Sequence, residues 1–87
     1  MIEITKPMPT AQTILDILAQ VTEVDEVRHN PDLAVYQTDI LDSLKTVELI
    51  VAFGREFDLD ISPAELDRES WATPARIVQY VQARVGR

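Results

Sequence analysis

The chain has 87 residues, of which 46% are hydrophobic and 26% charged, the balance of one globular domain with a limited core. It holds no cysteine and a single histidine, His29, which excludes disulfide frameworks and thiolate metal sites and argues against a Ser-His triad. A net charge of −7 repels nucleic-acid phosphates and anionic lipid, and no apolar run approaches the ~20 residues of a membrane span. Residues 1–87 are therefore read as one domain, with residues 1–8 a loose lead-in lacking any sustained period. Met1–Pro9 has no basic-then-apolar layout, so no signal peptide, no membrane insertion and a cytoplasmic location are expected.

A first helix is predicted near 10–23, where Thr10 or Thr13 can cap and Ile14, Leu15, Leu18 and Val21 fall on one face. Glu23, Asp25 and Glu26 crowd its C-terminal end, where the helix dipole favours cations, so fraying is expected there. Residues 24–42 read as a long connection with a turn at Asn30-Pro31-Asp32, anchored by Leu33, Val35, Tyr36, Ile40 and Leu41. The second helix is predicted at 43–57, with Gly54 inside it at a cost of about 1 kcal/mol relative to Ala. Ile61 then reads as a buried plug. Ser62-Pro63-Ala64-Glu65 has the form of a capping box with proline at the first helical position, predicting a short third helix over 63–68. Thr73-Pro74 repeats that signature and opens a fourth helix over 74–85, with Ile77, Val78, Val81 and Val85 inward and Gly86 at its stop. Trp71, between these two, is expected to be a core wedge whose indole N–H bonds to backbone.

The chemistry concentrates at Asp42-Ser43-Leu44. If Ser43 caps the second helix, its hydroxyl lies where free backbone N–H groups and the dipole favour a negative group. Projected at the helical period, Thr46, Leu49, Ile50, Phe53 and Phe57 form a seam facing the core. Leu44, Val47, Glu48 and Val51 form a second, mostly apolar stripe beginning beside Ser43. Periodicity leaves two readings of that stripe: further core beneath the preceding connection, or an exposed patch on which partners dock.

Leu41-Asp42-Ser43, Thr46-Val47-Glu48-Leu49, Phe57, Glu65-Leu66-Asp67-Arg68 and Trp71-x-Thr73-Pro74 together resemble the D-alanyl carrier protein family. Val27-x-x-Asn30-Pro31-Asp32-Leu33 fits it too, so the likeness runs from about Thr10 to Val85. The resemblance implies an all-α, four-helix carrier bundle with a long loop between helices one and two and a short third helix. It also implies a non-enzymatic role. A phosphopantetheinyl transferase would place 4′-phosphopantetheine on Ser43, with Asp42 serving transferase recognition. A ligase would use ATP to load D-alanine as a thioester, and a membrane-bound O-acyltransferase would pass it to teichoic acid. Leu44, Val47, Glu48 and Val51 would be the partner-docking residues of a monomeric carrier. Lys45 and Arg55 balance Glu48 and Glu56, so the second helix is neutral, unlike the acidic one usual in fatty-acid carriers. The alternatives are a peptidyl or acyl carrier of a natural-product pathway, or an unmodified helical adaptor.

Overall fold

Thr10 sets the start of the first helix: its backbone is extended and its hydroxyl accepts from Thr13 N at 3.1 Å. The computed structural model describes residues 10–64 and 66–85, and all regular structure among them is helical. Helix α1 spans Ala11–Thr22, α2 spans Ser43–Phe57 and α3 spans Pro74–Val85. Single 3₁₀ turns stand at Asp25–Arg28 and Arg68–Trp71. The expected lead-in, Glu65 of the capping box and the stop at Gly86 lie outside the described residues.

α1 ends where expected, with Glu23 in the left-handed region (φ 61) donating its N–H to Ala19 O at 2.7 Å. The connection that follows is more ordered than a plain loop. Its 3₁₀ turn buries Val27, and Arg28 bridges Asp16 of α1 and Asp25. At Asn30 the side-chain carbonyl accepts from Asp32 N at 3.2 Å, which forms the expected turn. Two backbone bonds then fasten the connection to the chain around the start of α3: Val35 N to Ala72 O and Ala75 N to Pro31 O, both at 3.1 Å. The carbonyl of Pro31 thereby takes one of the amides that a helix start leaves unpaired.

None of the described residues in the predicted third helix over 63–68 is α-helical. Pro63 and Ala64 make a turn closed by Leu66 N to Pro63 O at 3.3 Å, and helical backbone resumes only in the 3₁₀ turn Arg68–Trp71. Asp67 caps that turn, its carboxylate accepting from Glu69 N at 3.2 Å. The physical reason is that a six-residue helix anchored by Leu66 alone recovers little of its nucleation cost. Shifting the turn toward Trp71 instead buries the largest side chain in the protein. Thr73 and Pro74 begin α3 as predicted, with Thr73 Oγ1 accepting from Arg76 N at 3.3 Å.

The core is continuous across all three helices. α1 packs on both α2 and α3, and Ile14, Leu18, Leu49, Phe53, Trp71, Ile77 and Val81 are fully buried. From the connection, Val35 and Leu41 close it on one side and Ile61 plugs it after α2. Trp71 meets Phe53 of α2 and Tyr80 of α3 edge-on, with ring centres 5.7 and 5.8 Å away. Its indole N–H is buried without a hydrogen-bond partner among the described residues, contrary to the expected backbone bond. Gly54 is explained by a close approach: a Cβ there would stand 3.1 Å from the Leu59 carbonyl oxygen.

Trp71→Ala is expected to cost about 3–5 kcal/mol in urea unfolding. Trp71→Phe should cost clearly less, because it keeps ring packing while deleting an N–H whose burial costs about 1–3 kcal/mol.

Candidate functional site

Asp42, not Ser43, is the N-cap of α2. Its backbone is extended (φ −139, ψ −171) and its Oδ1 accepts from Lys45 N at 2.8 Å. Both residue types cap well, and the carboxylate adds charge complementarity to the helix dipole. Ser43 is consequently the first helical residue, and it is exposed. A group joined to its hydroxyl would project from the first turn of α2 into solvent rather than into the core.

The flanks of this turn are fastened from three directions. Lys45 reaches back to α1, its ammonium donating to Val21 O at 3.1 Å and lying 4.0 Å from Glu48 Oε1. Thr46 donates its hydroxyl proton to Asp42 O at 2.7 Å. Its one proton being spent there, the 2.7 Å contact between Thr46 Oγ1 and Tyr36 OH must use the tyrosine proton. Tyr36 is thus tied from the long connection to the first turn of α2. Arg68 lies over its ring, the guanidinium carbon 4.9 Å from the centroid. Ser43, Tyr36, Val47, Leu66 and Arg68 line a shallow pocket of about 220 Å³.

The two stripes of α2 separate cleanly. Leu49, Ile50 and Phe53 are buried, and Thr46 and Phe57 half-buried. Leu44 is 67% exposed, Val47 43% and Val51 48%, the large exposed hydrophobics among the described residues. Glu48 is exposed beside them. Of the two readings open from periodicity, further core is the one the fold does not adopt. His29 pairs with Asp25 at 3.0 Å, and no group of metal-ligating side chains forms among the described residues. No helix among them is long and apolar enough to cross a membrane. Sequence reasoning took Tyr36 as an anchor and left Arg68 without a task. The signal that pointed to Arg68 was its place in the Asp67-Arg68 motif.

A family profile described as "Phosphopantetheine attachment site" matches residues 12–81. A D-alanyl carrier protein of Bacillus velezensis is 42% identical over 71 residues, covering 82% of this chain and 91% of its own length. That of Bacillus subtilis is 42% identical over 74 residues, covering 85% and 95%. That of Bacillus licheniformis is 41% identical over 70 residues, covering 80% and 90%. The chain belongs to the D-alanyl carrier protein family. Members of this family are carriers, and 4′-phosphopantetheine is their covalent cofactor. The site fits such a group: an exposed serine hydroxyl opens onto a pocket that offers both apolar walls and a cation.

The corrected cap has a measurable consequence. Asp42→Ala is expected to lower stability by about 1 kcal/mol, whereas Ser43→Ala should stay within about 0.5 kcal/mol of the parent in urea titrations.

Proposed function

We propose that Ser43 carries the phosphopantetheine and that the cargo is D-alanine, accepted from an ATP-dependent ligase and surrendered to a membrane-bound O-acyltransferase for D-alanylation of teichoic acid. The observation that carries this reading is the exposed Ser43 at the head of α2 in a chain about 42% identical to D-alanyl carrier proteins. When bound, the group supplies the thiol that this cysteine-free chain lacks. The chain's own residues supply position and recognition. Asp42 holds the first turn of α2 in place, and its exposed carboxylate is available to the phosphopantetheinyl transferase as a recognition group. Leu44, Val47 and Val51, with Glu48 alongside, form the surface on which the transferase, ligase and acyltransferase dock in turn. The carrier works as a cytoplasmic monomer, and it meets the membrane only through its acyltransferase. Fixing the attachment point on a rigid helix while the arm moves gives the cargo a high local concentration at each partner.

Incubation with coenzyme A and a promiscuous phosphopantetheinyl transferase is expected to add one phosphopantetheine mass to the chain. Ser43→Ala should abolish the addition, and modification of that variant would refute the site. The docking surface is tested by a contrast. Val47→Glu should leave thermal stability near the parent, because Glu forms helix at least as well as Val. It should slow ligase loading, since desolvating a charge in an apolar contact is costly. Phe53→Glu places the same charge in the core and should unfold the protein. Equal destabilisation by the two substitutions would remove the docking claim.

A further inference from the structure

We propose that Arg68, laid on the Tyr36 ring, binds the phosphodiester through which the arm is joined to Ser43 and so fixes the root of the arm against the pocket wall. The inference rests on Ser43 being the attachment residue. It begins from charge. The chain carries −7, and Asp42 sits immediately before Ser43. A phosphodiester added there is a permanent anion in an already acidic neighbourhood, and it calls for a cation.

The cation nearest in sequence does not serve. Lys45 already donates to Val21 O across the α1–α2 boundary and lies 4.0 Å from the Glu48 carboxylate, so its charge is held between those two groups. Arg28 is paired with Asp16 and Asp25, and Arg76 with Glu69. Arg55, Arg68 and Arg84 have no carboxylate partner among the described residues, and of these three Arg68 alone stands at the Ser43 pocket.

Its placement is also held in advance. Tyr36 is fastened through Thr46 to the first turn of α2, so the ring under the guanidinium is fixed relative to Ser43. Asp67, the residue before Arg68, caps the turn that carries it, and Trp71 at the far end of that turn is buried in the core. The guanidinium over the ring has no hydrogen-bond acceptor among the described residues, and its N–H groups match the oxygens of a phosphate in a bidentate fork. The apolar wall formed by Val47 and Leu66 lies in the same pocket and shields such a contact on one side.

The experiment compares apo and holo protein by NMR, after mass spectrometry of peptides has located the arm. An arm found elsewhere than Ser43 would overturn the attachment reading, and this inference with it. With the arm on Ser43, the Arg68 Nε–Hε signal of the parent is expected to shift on conversion from apo to holo. The ³¹P line of the holo protein is expected to narrow in Arg68→Gln, as the root of the arm is released, and Arg68→Lys should give an intermediate width. Tyr36→Leu should narrow the line as well by removing the platform. The apo/holo comparison needs no variant, so a substitution that fails to fold leaves the test intact. An Arg68 signal unmoved by attachment would overturn the proposal while the Ser43 assignment stands. So would an Arg68→Gln protein whose ³¹P line is unchanged but whose loading by the ligase is lost. That pattern would make Arg68 a contact for the partner instead.

Discussion

The contact on which the rest of the structure depends is the edge-on packing of Trp71 between Phe53 and Tyr80. It joins α2 to α3 through a residue that belongs to neither. Because Trp71 is drawn inward, the 3₁₀ turn that it ends is fixed, and with that turn the outward position of Arg68 beside Tyr36. Immediately after Trp71, Ala72 receives the backbone bond from Val35 and so pins the long connection. One buried side chain therefore positions both walls of the pocket that Ser43 shares. The cost is an indole N–H left without a partner among the described residues. Such a group is tolerated where ring packing on two sides outweighs about 1–3 kcal/mol of desolvation.

Charge is handled in a comparably distributed way. α1 ends without a basic residue in its last turn, and acids follow it. The fold answers with Lys45, whose ammonium from α2 satisfies Val21 O at that end. The same bond couples the last turn of α1 to the first turn of α2, so the helix that presents Ser43 is braced at its start. At the end crowded by Glu23, Asp25 and Glu26, the cation that meets the helix carbonyl comes from 24 positions further along the chain.

That separation explains what the sequence could and could not show. The three α-helices were legible because each combines a 3.6-residue apolar period with a local cap or proline signal, at Thr10, at Asp42-Ser43 and at Thr73-Pro74. The short helix over 63–68 was misread because Ser62-Pro63 states where a helix can begin, not whether the segment buries enough to persist. The cap was misassigned by one residue because Asp42 and Ser43 are both good caps, and only backbone geometry separates them. The Lys45–Val21, Tyr36–Thr46 and Arg68–Tyr36 contacts carry no local periodic signal. They arise from the way three distant segments meet around the head of α2.

The exposed stripe of α2 follows from a limit on size. A chain of 87 residues has only enough apolar surface to close one core, and α2 meets it with Leu49, Ile50 and Phe53. Leu44, Val47 and Val51 are left in water, a placement that folding alone does not favour. On the proposed reading the stripe is covered only in complexes, one partner at a time, and each partner must release it again. Three side chains suit that requirement: they bury enough apolar area for recognition but far less than a permanent interface needs. The helix bearing them is neutral although the chain is acidic, so long-range attraction to a basic partner arises from the rest of the surface. Recognition at contact and steering at a distance are thereby assigned to different residues. Raising salt should slow encounter with little effect on how tightly the docked stripe is held, because apolar contact is not screened.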